Sequence, residues 1–316
     1  MNQRVLNRSA SIVRLAAGAA KLAIMLAGIL ASGPALATHD STPIPNAPGA
    51  EFRQLNAALF DAAERGETDE IVDLLHRGAS VAARDRFGNT ALLLAASSGR
   101  TKAVAALLTA GSAIDQQNLA GSTALLRAAK DGKGRVARML VEAGAKVNLA
   151  NRQGLTPIVA AAYNGDDRLV EFLLAAGADP NVVDRTGKTA LFYAAGRGFT
   201  GIVARLHEAG VDIDAAHGND LTALMWAAGF SNDVPPADGL ATVDLLLGLG
   251  ASVDARDNRG RTALMIAAGM NHDAVVERLL AAGADAALTD RTGQTAADIA
   301  RSSGNADLAA QLTVAP

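Results

Sequence analysis

The chain has 316 residues, 50% of them hydrophobic and only 3% aromatic, so its core must be built mainly from small and aliphatic side chains. Cysteine is absent, which excludes disulfides, thiolate metal sites and a cysteine nucleophile. The formal charge of −3 falls to −7 without the four basic residues among residues 1–37, so bulk electrostatics oppose nucleic-acid binding.

Residues 1–37 have the pattern of a Sec-type signal peptide. Basic residues up to Lys21 precede an apolar run at residues 22–30, and residues 35–37 form an A-x-A cleavage site. The apolar run is about half as long as the roughly 20 residues that a spanning helix needs. The pattern predicts cleavage after Ala37, a periplasmic protein and no stable membrane insertion after cleavage. An uncleaved membrane anchor is the alternative.

Residues 38–50 contain Pro43, Pro45 and Pro48 and have no apolar periodicity. This composition is typical of an extended, solvated linker. We therefore expect the folded domain to cover residues 51–316.

The folded domain is built from an internal repeat that two sets of glycines reveal. The first set opens a G-x-T step and comprises Gly88, Gly121, Gly154, Gly187, Gly260 and Gly293. Their spacing is 33 residues except for one interval of 73, which divides into 33 and 40 because Asp220 replaces one glycine. The second set has the same spacing with a single 40 and comprises Gly78, Gly111, Gly144, Gly177, Gly210, Gly250 and Gly283. One unit therefore carries seven extra residues.

Within each unit the pattern predicts two helices joined by a turn. In the second unit Thr90 is a candidate N-cap of the first helix, and Gly99 ends that helix. Val104, Leu107 and Leu108 have the i, i+3, i+4 spacing of the second helix. Helices of this length are not stable alone in water, so each unit must bury its apolar side against its neighbours.

Most units share one motif, as in DRFGNTALLLAASSG, NRQGLTPIVAAAYNG and DRTGKTALFYAAGRG. The motif resembles the ankyrin repeat, D-x-x-G-x-T-P-L-H-x-A-A followed by V-x-x-L-L-x-x-G-A-D-x-N. The histidine of that pattern is replaced here by an apolar residue or, in the last unit, by Asp298. The resemblance implies an all-α ankyrin-repeat solenoid of helix-turn-helix units joined by β-hairpin-like loops. Units 1 to 8 are expected near residues 52–84, 85–117, 118–150, 151–183, 184–216, 217–256, 257–289 and 290–316, the two end units being caps.

The resemblance also implies that a protein partner binds in the concave groove and at the hairpin tips. The groove candidates precede the turn between the two helices and are Lys130, Tyr163, Arg197, Phe230 and Met270. The tip candidates are apolar, have no obvious partner within the chain, and are Phe87, Leu119, Leu155 and Leu221. Tyrosine, phenylalanine, methionine and arginine are enriched in interface cores. Partial burial beneath neighbouring units is the alternative for the groove candidates.

Other polar and aromatic residues are better explained by architecture. Asp85, Asp184, Asp257 and Asp290 recur at the hairpin turn, where a short carboxylate bonds backbone amides, so their repetition does not indicate catalysis. The histidines at positions 39, 76, 207, 217 and 272 lack metal-ligand spacing. Tyr193 and Trp226 occupy equivalent positions in adjacent units, where packing between units is favoured over an aromatic ligand clamp. Tip arginines are as well explained by pairing with turn aspartates as by an acidic partner.

Unit 6 holds the seven extra residues, between Trp226 and Val243. Because Pro235 and Pro236 cannot continue a helix, this segment is predicted to project as a loop beside Phe230 and add partner contacts. A tolerated insertion without function is the alternative.

The sequence therefore predicts a non-catalytic, monomeric scaffold or stabiliser in the periplasm of a Gram-negative bacterium, with a protein partner, no cofactor and no nucleic acid. One alternative is an inhibitor or immunity-type protein that occludes an exported enzyme. A repeat-based enzyme or a small-ligand binder is less favoured.

Overall fold

The computed structural model describes residues 49–231 and 233–314. In chain order its helices are α1 Ala50–Arg65, α2 Thr68–His76, α3 Ala91–Ser97, α4 Thr101–Thr109, α5 Ala124–Lys130, α6 Gly134–Glu142, α7 Pro157–Asn164, α8 Asp167–Ala175, α9 Ala190–Gly196, α10 Thr200–Glu208, α11 Ala223–Ala228, α12 Pro236–Gly248, α13 Ala263–Met270, α14 Asp273–Ala281, α15 Ala296–Ser302 and α16 Ala306–Val314. The predicted signal peptide and almost all of the predicted linker lie outside the described residues.

The prediction of an all-α solenoid is confirmed. Within residues 49–231 and 233–314 there is no β-strand, and an isolated antiparallel bridge joins His217 to Leu221. None of the helices in these ranges is long and apolar enough to cross a bilayer.

The helices stack in successive pairs. Each odd-numbered helix packs against the even-numbered helix that follows it and against the next odd-numbered helix, whereas neighbouring even-numbered helices contact one another less. Since the odd-numbered helices approach one another more closely than the even-numbered helices do, their side of the stack corresponds to the concave groove expected of the repeat. We call that side, together with the hairpin turns that precede the odd-numbered helices, the concave face.

Small and apolar side chains explain the close approach of the odd-numbered helices. The paired alanines, such as Ala95 and Ala96 of α3, are fully buried between units. The apolar residues at the position of the repeat's histidine are also buried; they are Leu93, Leu126, Val159, Phe192, Met225 and Met265. Burying one such side chain stabilises the fold by about 1.5–3 kcal/mol, so apolar contact takes the place of polar bracing. Asp298 instead forms a reciprocal capping box with Thr295 at the start of α15.

The hairpin turns are held by the first residue of each turn. Asp85 Oδ1 accepts hydrogen bonds from the backbone N–H groups of Phe87, at 2.7 Å, and Asn89, at 2.8 Å. The same pair of bonds recurs at Asn118, Asn151, Asp184, Asp257 and Asp290. The predicted architectural role of the turn aspartates is confirmed, and two asparagines share it.

Unit 6 departs from this turn geometry. His217 stands at the first position of the turn, and the next three residues all have positive φ angles, up to 59° at Asp220. Gly187 of unit 5 lies so close to Gly218 that a Cβ atom on Gly187 would be 2.7 Å from the Gly218 Cα. The two turns therefore meet through backbone atoms, and Lys188, the residue after Gly187, reaches the Trp226 ring of unit 6.

The expected projecting loop in unit 6 is not what the structure shows. Pro235 is the N-cap of α12 and Pro236 its first residue, where a proline needs no N–H donor. The insertion therefore lengthens the second helix to 13 residues and also lengthens the connection before it, which covers residues 229–235 here and residues 197–199 in unit 5. In the other units from α4 to α14 the second helix has 9 residues. Val234 is buried as well. Pro235 and Pro236 cannot lie in the interior of a helix, and here they mark the start of one.

Candidate functional site

The four tip candidates differ in exposure. Phe87 and Leu119 are each 56% exposed, and the guanidinium of Arg86 lies 4.6 Å from the centre of the Phe87 ring. Leu155 and Leu221 are half-buried and pack against the core. The expectation that the tips have no partner within the chain is therefore wrong for Leu155 and Leu221.

The five groove candidates also differ in exposure. Lys130 is exposed, Tyr163 is 47% and Met270 48% exposed, and Arg197 is half-buried. Phe230 is only 6% exposed, which matches the alternative of burial beneath neighbouring units, and its ring forms part of the wall of a cleft between units 6 and 7. Its ring stacks on the His272 ring with centroids 4.0 Å apart and contacts the first turns of α12 at Gly239.

Tyr163, Tyr193 and Trp226 come together on the concave face across units 4, 5 and 6. The rings of Tyr163 and Tyr193 meet edge to face, with centroids 5.4 Å apart and an interplanar angle of 83°. Such pairs contribute about 0.5–1.5 kcal/mol beyond the area that they bury. Together with the two cations described next, we call these side chains the aromatic–cation patch: Tyr163, Lys188, Tyr193, Arg197 and Trp226.

Two cations of this patch lie over its rings. Lys188 Nζ is 4.6 Å from the centre of the Trp226 ring and 5.4 Å from that of Tyr193. The guanidinium carbon of Arg197 is 4.6 Å from the centre of the Tyr163 ring and 5.7 Å from that of Phe199. Each arrangement satisfies the geometry of a cation–π interaction, worth about 0.5–1 kcal/mol at an exposed site.

The repeat itself aligns the patch. Tyr193 and Trp226 are each the fourth residue after the threonine that caps its helix, Thr189 of α9 and Thr222 of α11. Residues at equivalent positions in adjacent units lie side by side. Gly196 at the end of α9 leaves room beside the indole, because a Cβ atom there would already be 3.5 Å from Trp226 Cε3.

Asp184 anchors Tyr193 beneath the patch. Its carboxylate accepts hydrogen bonds from the Tyr193 hydroxyl and the Thr186 hydroxyl, each at 2.7 Å. Burial acts to raise the pKa of Asp184, but the hydrogen bonds from Tyr193 and Thr186 outweigh it and the pKa is lowered. Burial and the bond to Asp184 raise the pKa of Tyr193. At neutral pH Tyr193 is therefore a neutral donor to an ionised carboxylate.

Neither cation of the patch forms an ion pair with a described residue. The ion pairs of these residues lie elsewhere, for example Arg205 with Asp167 at 2.6 Å and Arg261 with Asp257 at 2.8 Å. Arg197 Nε is buried without a hydrogen-bond acceptor among the described residues. The pKa of Asp233 is lowered, chiefly by the Ser231 hydroxyl and to a smaller extent by the charge of Arg197. That carboxylate is near Arg197 but beyond ion-pair distance.

A second concave feature is a cleft of about 360 Å³ between units 6 and 7. It is lined by Val234 and Leu240 from the lengthened unit 6 and by Met270, His272 and Val275 from unit 7. His272 Nδ1 lies 3.0 Å from the carbonyl oxygen of Ala228. Because a carbonyl oxygen only accepts, this contact assigns the proton to Nδ1, which donates the hydrogen bond. This contact and the Phe230 ring fix the imidazole as part of the cleft wall.

Within the described part of the chain, no group of three or more histidine, aspartate or glutamate side chains is arranged to hold a metal ion. His39 lies outside that part. Among the described histidines, His76 and His207 are exposed, and His217 packs edge-on against Phe192 with ring centroids 5.6 Å apart.

Lys188, Tyr193 and Trp226 were not among the residues proposed from sequence to bind a partner. Tyr193 and Trp226 do pack between units, as favoured, yet both are only half-buried and so also contribute surface. Their equivalent positions in adjacent units were the available signal. Lys188 is a basic residue of a hairpin tip, and its position in the repeat does not predict that it reaches the rings.

Family models described as ankyrin repeats match most of the chain. The model described as ankyrin repeats (3 copies) matches residues 59–151 and 158–234, and that described as ankyrin repeats (many copies) matches residues 245–300. The model described as a single ankyrin repeat matches residues 219–258 and so bridges the two. No curated protein matches the chain.

Proposed function

Because the chain belongs to the ankyrin-repeat family, we propose that it is a protein-interaction module that binds its partner at the aromatic–cation patch. Ankyrin repeats generally serve protein–protein interaction, and domains built from them are typically non-catalytic. The observation that carries the proposal is the convergence of two tyrosines, a tryptophan and an arginine from three adjacent units on the concave face. These residue types dominate the binding energy of protein interfaces.

The stacked units also support binding by a rigid surface. Tyr193 is held by its bond to Asp184, and Arg197 and Lys188 are held over aromatic rings, so little side-chain freedom remains to be lost on binding. Each side chain that is immobilised only on binding costs about 0.5–1.5 kcal/mol. A preorganised patch avoids much of that cost.

We propose further that the protein is exported by a signal peptide at residues 1–37 and acts in the periplasm as a monomeric scaffold or stabiliser. The support for export is the order of basic, apolar and A-x-A segments. The intact mass of the purified protein should then correspond to a chain that begins at Thr38. Recovery of the uncleaved chain in the membrane fraction would contradict this.

The interaction is tested by photo-crosslinking in the producing cells. A photoreactive phenylalanine analogue at position 163, in the patch, should give a discrete crosslinked protein that mass spectrometry identifies. The matched control carries the analogue at position 168, an exposed position on α8 away from the concave face. The same adduct from both positions, or an adduct only from position 168, would contradict binding at the patch.

The inhibitor or immunity-type alternative uses the same surface. If the crosslinked partner is an exported enzyme, the purified protein should abolish its turnover in stoichiometric amounts under that alternative. A scaffold or stabiliser would instead leave turnover unchanged or prolong it on heating.

A further inference from the structure

Building on the proposed function, we propose that the partner segment bound at the aromatic–cation patch is acidic, presenting one or two carboxylates beside an apolar side chain. Three features of the patch point to this class of partner: a cation already lies over each of its rings, those cations have no ion-pair partner among the described residues, and the side chains beside them are apolar.

The cations that already lie over the rings disfavour a positively charged ligand. An aromatic cluster can attract a lysine, an arginine or a quaternary ammonium group when the ring faces are open. Here Lys188 lies over Trp226 and Tyr193, and Arg197 lies over Tyr163. A cationic ligand would therefore meet a charge of the same sign at each ring.

Neither cation forms an ion pair within the described part of the chain. Neither Lys188 nor Arg197 lies within 4.0 Å of a carboxylate of a described residue, in contrast to Arg205, Arg261 and Arg278. The nearest turn carboxylate, Asp184, already accepts bonds from two hydroxyl groups and from two backbone N–H groups. A carboxylate from outside would therefore meet donors that no described carboxylate has paired, and at Arg197 it would compete with the exposed Asp233, which lies beyond ion-pair distance.

The apolar surface beside the cations defines the rest of the ligand. Tyr163 is 47% exposed, and Leu155 and Leu221 flank Lys188 in the neighbouring turns. An aliphatic or aromatic side chain next to the carboxylate would cover these groups and exclude water from the ion pair, which strengthens it.

Nucleic acid also supplies anions but fits less well. The formal charge of the chain is −3, and a base that stacks on Trp226 or Tyr163 would compete with the cation that already lies over the ring. At physiological ionic strength the patch attracts a carboxylate only within about 8 Å, so the negative charge elsewhere on the chain does not prevent local binding.

The test uses short random peptides displayed on phage and selected on the immobilised full chain. The selected peptides should be enriched in aspartate or glutamate next to an apolar residue, and the affinity of the synthetic peptides should fall as salt is added. Lys188→Gln and Arg197→Gln should each weaken binding roughly fivefold. Lys188→Arg and Arg197→Lys should keep most of the affinity, and Arg168→Gln on α8 is the matched control.

The outcomes separate this inference from the proposed function. Neutral or basic peptides whose binding is lost in Tyr163→Ala would overturn the acidic partner and leave an interaction module that binds at the patch. Peptides that bind the Tyr163→Ala variant as tightly as the unchanged protein would count against both the acidic partner and binding at the patch. A selection that yields no peptides would do the same. A single-stranded oligonucleotide that binds as tightly and depends equally on Lys188 and Arg197 would replace the acidic peptide by a nucleic acid. Melting curves of each variant exclude loss of fold as the cause.

Discussion

At the scale of single residues, Tyr193 connects the core of unit 5 with its surface. Its ring contacts Tyr163 and lies beneath Lys188, while its hydroxyl reaches the buried carboxylate of Asp184. The same side chain thus shapes the patch and satisfies a charge that would be costly to bury alone. A substitution that removes only the hydroxyl separates the two roles.

Tyr193→Phe should lower the free energy of unfolding by about 1–2 kcal/mol at neutral pH, because an ionised and largely buried acceptor loses a donor. The lowered pKa of Asp184 fixes the direction of the pH dependence. Stabilisation of its ionised form is complete above the unfolded-state pKa of about 3.9 and is lost as the pH falls through the lower, folded-state pKa. Denaturant unfolding of both proteins at several pH values measures the difference.

The difference between the Tyr193→Phe variant and the unchanged protein should therefore shrink in acid. Tyr163→Phe is the matched control, since the Tyr163 hydroxyl makes no hydrogen bond to a described residue, and it should leave stability unchanged at every pH. A loss of stability in Tyr193→Phe that stays constant to the acid limit of folding would show that the bond to Asp184 does not cause it.

Equivalent positions in the repeat predicted that Tyr193 and Trp226 lie side by side, because neighbours in the stack inherit the register. The same register could not place Lys188 Nζ over their rings, since a long flexible side chain has many rotamers. Phe230 shows a different limit. It occupies the position of the half-buried Arg197 and the exposed Met270 in its unit, and the lengthened α12 and the His272 ring bury it.

At the scale of elements, α12 shows how an insertion is absorbed. The extra residues do not form a loop that projects from the stack. Val234 is buried, Pro236 starts the helix, and Asp238 lies against Gly198 of unit 5. The insertion therefore repacks the turn region of two units and forms one wall of the cleft beside Met270. From sequence, the proline pair indicated that a helix is interrupted, but it did not indicate that the next helix begins at the second proline.

Val234→Ala should cost about 1–2 kcal/mol of stability, because it leaves a gap where the buried Val234 side chain packs near Gly198 of unit 5. A loop that is merely tolerated would not be packed in this way. The matched control is Val183→Ala, which removes the same two methyl groups from a side chain that is 42% exposed, and should change stability by less than about 0.5 kcal/mol. Thermal or denaturant melting measures both. Equal effects of the two substitutions would mean that the segment contributes nothing to the core.

At the scale of the whole molecule, the fold was predictable from its period, apart from the lengthened α12, because each unit buries its apolar face against its neighbours. The glycine spacings predicted the register, and the capping threonines and paired alanines predicted the helix starts and their close packing. The partner-binding surface was predictable only in part. It depends on side chains that the repeat leaves free to vary, and their joint geometry appears only once the units are stacked.

The stacking also predicts how far damage spreads. Leu173 of α8 is fully buried, whereas the adjacent Leu174 is only half-buried, and α8 packs against α6 and α10 as well as α7. Leu173→Ala should therefore cost about 3 kcal/mol, since it leaves a cavity shared by several helices, and Leu174→Ala should cost about 1 kcal/mol. Hydrogen exchange followed by mass spectrometry should show faster exchange in α6 and α10 as well as in α7 and α8 for Leu173→Ala. Faster exchange confined to α7 and α8 would show that unit 4 opens independently and that the stack is not cooperative across its neighbours.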